Sequence, residues 1–399
     1  CPQRDERQGW TGDIAIFAPT ACFNFDMSRF LQKWLCDLKT NQGLLGSIPF
    51  VVPERPGITP SITTSCWGDS CILVPWALYR SEGDASVLSE MYPAMKRYMA
   101  DTRRWAALSL LSNGSPHILR FPFQFGDWCA PEGGPGDWLK KGPEIGTAYY
   151  ANSCRLMAEI AQILGKPKDA RKYQALHEKV RKAFRRKFTD GNGHMRREFQ
   201  SAYVLALSFG LLEEKDRETA AERLLQLVRD KNMHLSTGFS ATPHLLFALA
   251  DNGFAAEAYR LLLQDTHPSW LYLVRRGATT IWESWRDRNE AGEIVECSYN
   301  HYAYGAVGDF LYRRICGLEP LEPGYRRFRV KPVPGGNLSF AECSHRCPAG
   351  QIKVRWDRDD TYFTLRVTVP EGTACEVILP DGRTENVEDS GTFEYQVQN

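Results

Sequence analysis

The sequence has 399 residues, of which 43% are hydrophobic, 24% charged and 12% aromatic. These proportions are ordinary for a globular protein, and the length predicts about two domains. The net charge of +1 gives no basis for binding nucleic acid or an anionic membrane surface, and the apolar runs are too short and interrupted to span a bilayer.

The 12 cysteines are scattered and never occur with Cys-x-x-Cys spacing, which excludes a dense disulfide framework and a typical zinc site. The nearest approach to a metal cluster, Cys343, His345 and Cys347, lacks an evident fourth ligand. We therefore expect reduced thiols in a cytoplasmic protein, with secretion as the alternative. Because the chain begins at Cys1, inside a motif and without a Met, we expect it to be a fragment, so that upstream domains and any targeting signal would lie outside it.

An acidic motif opens the chain, and residues 1–13 read Cys-Pro-Gln-Arg-Asp-Glu-Arg-Gln-Gly-Trp-Thr-Gly-Asp. Glu6, Trp10 and Asp13 are separated by four and three residues, so they would share one face of a helix or line a glycine-containing turn. The plain alternative is a solvated charged terminus.

From about residue 26 to residue 316 the apolar pattern is helical. Phe30, Trp34 and Leu38 recur every four residues and predict a helix that ends at Gly43. Further helices are predicted over residues 156–164, 176–188, 203–212, 220–228, 243–249, 255–263 and 304–315. The total of about a dozen helices without alternating strands excludes a βαβ design and predicts an (α/α)6 barrel. A plain bundle or a solenoid is the competitor, but the sequence has no repeat of fixed period.

Four other segments of this region place a carboxylate or a histidine beside aromatic residues, at 66–69, 125–128, 279–285 and 298–304. Their candidate functional side chains are Trp67, Asp127, Trp128, Trp282, Glu283 and His301. Taken singly, Glu283 is equally typical of a helix start and His301 of a packed core residue. Their recurrence predicts that the segments converge on one funnel of the barrel. Two carboxylates flanked by aromatics are the groups that cleavage of a glycosidic bond needs.

Other chemistries lack their motifs. The sequence has no Gly-x-Gly-x-x-Gly or Walker loop, no His-Glu-x-x-His and no Gly-x-Ser-x-Gly elbow. We expect no metal and no organic cofactor.

The composition changes in the Gly- and Pro-containing stretch 317–324, after which apolar residues alternate with period two. The alternating positions are Ile352, Val354 and Trp356, then Phe363, Leu365, Val367 and Val369, and later Val377, Leu379, Phe393, Tyr395 and Val397. This pattern predicts a small antiparallel β-sandwich over residues 318–399, after a helical barrel over residues 1–317.

These motifs resemble the bacterial α-L-rhamnosidases of glycoside hydrolase family 78 over nearly the whole chain. The resemblance is most specific in residues 1–26 and 277–285. It extends to Trp67-Gly-Asp69, to residues 125–128, to Asn300-His301-Tyr-Ala-Tyr-Gly305 and to residues 322–329.

The resemblance implies hydrolysis with inversion, in which Glu6 is the general acid and Glu283 the general base. It also implies substrate-binding residues, which are Trp10, Asp13, Trp128 and His301 for holding rhamnose, and Arg4, Trp67, Asp127 and Trp282 for the wall of the site. The expected substrate is a small-molecule or oligosaccharide rhamnoside. The sequence leaves a homodimer open.

Three alternatives remain at this point. Two keep the (α/α)6 barrel but change the chemistry, to a uronyl hydrolase or to a glycoside phosphorylase. Glu283 argues against a phosphorylase, because that enzyme needs an anion site in place of a general base. The third is a non-catalytic carbohydrate-binding relative, against which both glutamates argue.

Overall fold

The computed structural model describes residues 6–54, 63–113, 115–289 and 291–398, and it confirms a mainly helical region followed by a β-domain. The helices are α1 (Thr11–Asn24), α2 (Ser28–Asn41), α3 (Ser70–Glu82), α4 (Ser86–Leu108), α5 (Leu110–Asn113), α6 (Pro135–Lys140), α7 (Gly142–Ile163), α8 (Pro167–Phe188), α9 (Gln200–Ser208), α10 (Arg217–Arg229), α11 (Thr242–Ala250), α12 (Ala255–Leu262), α13 (Trp270–Arg275) and α14 (Val307–Phe310).

Six of these helices form a closed inner ring. In the order α1, α3, α7, α9, α11 and α14, each helix contacts the next, and α14 contacts α1. The helices between them, α2, α4, α8, α10 and α12, pack outside the ring. This is the predicted (α/α)6 barrel. Because chain direction alternates between the inner and outer positions, the inner helices begin at the same end of the barrel, and the loops that precede them meet there.

The inner and outer helices differ in how much of their surface is buried. Inner helix α9 buries every residue from Gln200 to Leu207, whereas outer helix α2 buries a single stripe. That stripe includes Leu31 and Leu35, while Phe30 is 58% exposed. The buried face follows positions i, i+3, i+4 and i+7 and leaves out Phe30, although Phe30 recurs at a spacing of four with Trp34 and Leu38.

Helix α1 begins at Thr11, inside the opening motif, although the helical pattern was predicted to start at about residue 26. The helix contains Gly12 and Pro19, both of which weaken a helical signal. It is also buried on nearly all sides, so it lacks the amphipathic period by which helices are recognised.

The C-terminal region has eight strands in two four-stranded sheets. The strands are β1 (Leu318–Pro320), β2 (Arg327–Val330), β3 (Phe340–Cys347), β4 (Gly350–Arg358), β5 (Tyr362–Val369), β6 (Ala374–Ile378), β7 (Thr384–Val387) and β8 (Gly391–Gln398). The sheet orders are β1-β2-β6-β7 and β3-β4-β5-β8. All neighbours are antiparallel except β2 and β6, which pair in parallel and which no short hairpin could join.

The β-domain packs on the end of the barrel opposite to the loops that precede the inner helices. Trp356 of β4 is fully buried, and its indole Nε1–H donates to the carbonyl oxygen of Ile315 at 2.8 Å. Phe23, near the end of α1, stacks on Tyr312 with ring centroids 4.3 Å apart. The last barrel element ends at Ile315 and β1 begins at Leu318, while the boundary at 317/318 stays a prediction.

None of the helices in the described residues combines the length and apolar character needed to cross a membrane. Within the same residues, no group of three or more His, Cys, Asp or Glu side chains could hold a metal ion. His345 of the predicted Cys-His-Cys stretch is instead buried against Phe23 and Tyr325.

Replacing Trp356 with Ala should lower the free energy of unfolding by about 3–5 kcal/mol, because the change leaves a cavity and removes the hydrogen bond to Ile315. Urea denaturation followed by circular dichroism measures the loss. Tyr362→Ala on the neighbouring strand is the control, since Tyr362 is exposed and its loss should change stability by only about 0.5 kcal/mol. Equal effects of the two substitutions would contradict the role of Trp356 in the junction.

Candidate active site

The opening motif is fixed at the start of α1 by residues 49–52. Thr11 N–H donates to Phe50 O at 2.8 Å, and Val52 N–H donates to Gly9 O at 2.8 Å. Trp10 directly precedes the helix, and its indole Nε1–H donates to Glu6 Oε1 at 2.6 Å. The motif therefore holds the Glu6 carboxylate beside the first turn of an inner helix. Arg4, another predicted site residue, lies outside the described residues.

Asp13, in the first turn of α1, forms a buried pair with His301. The distance from His301 Nε2 to Asp13 Oδ1 is 2.9 Å, and both side chains are almost fully buried. Ala303 N–H donates to His301 Nδ1 at 3.3 Å, so Nδ1 is an acceptor, and Nε2 is the ring nitrogen that faces Asp13. The opening motif is thus joined directly to the segment that precedes α14.

Glu283 lies in an irregular loop rather than at a helix start. Its N–H donates to Ser298 O at 2.9 Å, and Ser298 N–H returns a bond to Glu283 Oε2 at 3.0 Å. Two residues away, His301 N–H donates to Ile281 O at 2.7 Å. This short antiparallel pairing replaces the helix-start alternative and positions the Glu283 carboxylate from the backbone.

A continuous chain of contacts connects the two glutamates. It runs from Glu6 through Trp10 to the first turn of α1, through Asp13 to His301, and from there through Ile281 to Glu283. Residues almost 280 positions apart in sequence therefore lie on neighbouring segments at the same end of the barrel. The separation of about 6.5–9.5 Å between carboxyl groups that inversion requires stays a prediction.

Aromatic rings line the loops next to these carboxylates. Trp67 lies 4.6 Å from Phe125, which lies 5.0 Å from Trp128, and Trp128 lies 5.3 Å from Trp138, measured between ring centroids. Trp128 is half-buried, and it keeps part of its face accessible, whereas Trp67 is only 3% exposed. These four rings, of Trp67, Phe125, Trp128 and Trp138, form an aromatic wall, in which Trp128 is partly accessible and Trp67 is buried.

Trp282, which directly precedes Glu283, is another buried aromatic residue. Its ring lies 5.0 Å from Tyr299, edge to face, and it is almost fully buried. Direct contact of Trp282 or Trp67 with a sugar stays a prediction.

Asp127 has a different position from the one expected of a sugar-binding residue. It is 0% exposed, and its Oδ1 accepts from Ser201 Oγ at 2.6 Å and from Gly238 N–H at 2.8 Å. Lys141 Nζ lies 3.4 Å from Oδ2. Burial raises the pKa of Asp127, and the Lys141 ammonium opposes that shift. The carboxylate is fully buried and supports the loop that carries Trp128, while contact of Asp127 with a sugar stays a prediction.

Gly238 shows how tightly this loop is held. A Cβ atom at Gly238 would lie 2.3 Å from Trp128 O and 2.5 Å from Asp127 O, and Phe239 N–H donates to Trp128 O at 2.9 Å. Phe239 in turn packs against His301, with ring centroids 4.9 Å apart. The aromatic wall and the buried pair are therefore parts of one packed unit.

Sequence reasoning missed several members of this unit. Trp138, Lys141 and Ser298 were not singled out, nor was Tyr304, whose hydroxyl donates to Cys129 O at 2.6 Å. Trp138 follows a Gly- and Pro-rich loop close to Trp128, which is a signal that could have identified it. Ser298 acts through its backbone, so no side-chain pattern could have revealed it.

The closed ring of six inner helices is the architecture of the six-hairpin glycosidases. Residues 1–315 match the family model of the bacterial alpha-L-rhamnosidase six-hairpin glycosidase domain, and residues 317–394 match that of the bacterial alpha-L-rhamnosidase C-terminal domain. The chain therefore belongs to the bacterial α-L-rhamnosidase family.

Individual relatives agree with this assignment. An alpha-L-rhamnosidase of Streptomyces avermitilis is 40% identical over 98% of this chain, and one of Formosa agariphila is 37% identical over 97%. The chain spans only 37% and 41% of the length of these two relatives.

Solved structures are similar over the whole chain. The crystal structure of the Streptomyces avermitilis alpha-L-rhamnosidase complexed with L-rhamnose is 37% identical, with a TM-score of 0.90 over 99% of this chain and 39% of its own. That of a native rhamnosidase from Aspergillus terreus is 36% identical, with a TM-score of 0.92 over 100% of this chain and 46% of its own.

Lys141→Met should destabilise the protein more than Asp127→Asn. The first change leaves a buried carboxylate without its cation, at a cost on the order of 3 kcal/mol, whereas the second removes the charge and keeps an oxygen that can accept from Ser201 and Gly238. Thermal and urea denaturation of both variants measure the difference. A larger loss for Asp127→Asn would contradict the assigned ion pair.

Proposed function

We propose that this chain is the catalytic part of an α-L-rhamnosidase, which hydrolyses terminal α-L-rhamnose from rhamnosides with inversion of the anomeric carbon. The observation that carries the proposal is the Asp13–His301 contact, because it joins the motif of Glu6 to the segment of Glu283. The similarity to relatives named as alpha-L-rhamnosidases, one of them solved with L-rhamnose, supports this sugar over a uronic acid.

The reaction assigns one proton transfer to each glutamate. Protonated Glu6 donates its proton to the glycosidic oxygen as the bond from C1 to that oxygen breaks. Ionised Glu283 takes a proton from a water molecule, whose oxygen attacks C1 from the opposite face. The Trp10 indole and the Ser298 N–H hold the two carboxyl groups in place through this sequence.

The remaining residues bind and orient the sugar. Asp13 lies beside His301 Nε2, and its carboxylate has further acceptor sites for a ring hydroxyl. The faces of Trp10 and Trp128 are partly accessible and pack against the apolar side of the ring, including its 6-methyl group. No step of this mechanism calls for a metal or an organic cofactor.

Glu6→Gln and Glu283→Gln should each lower kcat by about 10²–10⁴-fold on an aryl α-L-rhamnoside, because each variant loses one proton transfer. Steady-state kinetics measure the effect, and an unchanged melting temperature shows that the fold survives. Glu293→Gln, an exposed change between Glu283 and Ser298, is the matched control and should retain near-normal turnover. Near-normal turnover in Glu6→Gln or Glu283→Gln would remove that residue from its role.

The first sugar released should be β-L-rhamnose, because attack from the face opposite to the leaving group inverts the α-anomer. Proton NMR in the first minutes of the reaction distinguishes the anomers before mutarotation, whose rate is measured on free L-rhamnose in the same buffer. Initial appearance of the α-anomer would rule out the acid and base pairing of Glu6 and Glu283.

A further inference from the structure

A second buried carboxylate, Asp69, lies behind the aromatic wall. It is 1% exposed and forms no salt bridge with any of the described residues. Burial raises the pKa of Asp69, and hydrogen bonds from Ser153 and from the Cys66 backbone oppose the shift. Burial of an ionised carboxylate without a nearby cation is costly, so the hydrogen bonds that Asp69 accepts are needed to offset that cost.

The hydrogen bonds of Asp69 go to a loop and to a neighbouring helix, and not to the first turn of its own helix α3. Asp69 stands at the N-cap position of α3, where aspartate commonly accepts from the N–H groups of the first turn, but its side chain makes no such bond. Oδ2 accepts from Cys66 N–H at 2.8 Å, and Oδ1 accepts from Ser153 Oγ of α7 at 2.5 Å. The carboxylate therefore ties residue 66 to a neighbouring inner helix.

Cys66 needs this support because its backbone is strained. Its φ of 71° lies in the left-handed region, which is unfavourable for a residue with a Cβ atom. The bond from Cys66 N–H to Asp69 stabilises that conformation, and the conformation sets the direction in which the next residue, Trp67, leaves the backbone.

Trp67 in turn supports the first turn of α1. A Cβ atom at Gly12 would lie 2.5 Å from the Trp67 indole, so the ring packs directly on the backbone of Gly12. The next residue is Asp13, which pairs with His301. A displacement of Trp67 would therefore reach the residues that are proposed to hold the sugar.

We infer that Asp69 is a positioning residue for sugar binding: it holds the left-handed backbone of Cys66, which keeps Trp67 against Gly12 and so sets the position of Asp13. Asp69 does not touch the sugar. The inference rests on the proposed function for its kinetic consequence, but its structural step, from Asp69 to Trp67, is measurable without any activity.

The test compares Asp69→Asn with Asp101→Asn in the 399-residue chain. Asparagine preserves the shape of Asp69 but removes its charge and one of its two acceptor atoms, which weakens the hydrogen bonds from Cys66 N–H and Ser153 Oγ. Asp101 is the matched control because it is equally buried, at 1% exposed, and lies on outer helix α4, where it pairs with Arg104. Labelling with 5-fluorotryptophan gives a fluorine NMR signal for Trp67, assigned by its loss in Trp67→Phe.

Asp69→Asn should shift the Trp67 signal and raise KM for an aryl α-L-rhamnoside about tenfold, with kcat changed much less, since a group that binds ground state and transition state alike affects KM. The dissociation constant of L-rhamnose should rise in parallel. Asp101→Asn should lower the melting temperature while leaving the Trp67 signal and KM unchanged.

An unchanged Trp67 signal in Asp69→Asn overturns the inference, whether or not the chain hydrolyses rhamnosides. Absence of hydrolysis and of rhamnose binding in the unaltered chain overturns the proposed function instead, and the fluorine signal still decides the role of Asp69. If Asp69→Asn does not fold, Ser153→Ala decides, because it keeps the charge and removes one hydrogen bond. It should shift the same signal and raise KM by about two- to threefold, and an unchanged signal again overturns the inference.

Discussion

The buried contact between Asp13 and His301 is the one on which the rest of the site depends. It connects the first inner helix to the segment before the last one, at the point where the ring of six helices closes. Both side chains are removed from water, so each needs a polar partner inside the protein. Their contact therefore holds the start of the helical region next to its end. Glu6 is positioned through Trp10 on one side of the contact, and Glu283 through Ile281 on the other.

Close backbone approach is the second constraint. Gly12 admits the Trp67 ring, and Gly238 admits the backbone of the loop that carries Trp128, at distances that a Cβ atom would not allow. Behind these two tryptophans stand two fully buried carboxylates, Asp69 and Asp127, and each accepts a backbone N–H and a serine hydroxyl. Of the five carboxylates that the motifs place near aromatic residues, Asp69 and Asp127 are thus buried supports, whereas Glu6, Asp13 and Glu283 are the proposed members of the site.

The sequence predicted much of this arrangement. The change of period near residue 317, the amphipathic outer helices and the absence of alternating strands predicted an all-helical barrel followed by a β-sandwich. Phe30 lies outside the buried stripe of α2, and α1 was missed, because a helix buried on all sides has no period to detect. The parallel pairing of β2 with β6 was also missed, since only a crossover connection in the folded domain produces it.

The amino-acid sequence by itself determined which residue types can do the chemistry and, through local periodicity, which segments become helices and strands. Motif residues such as Glu6 and Glu283 were identifiable because a carboxylate beside tryptophan is rare and its chemistry is specific. Only the tertiary structure decided which carboxylates stay at least partly accessible and which are buried and support other segments. Asp127 sits beside Trp128 in sequence much as Glu283 sits beside Trp282, yet Asp127 is buried against Ser201, Gly238 and Lys141. That outcome depends on residues far away along the chain, which no local pattern encodes.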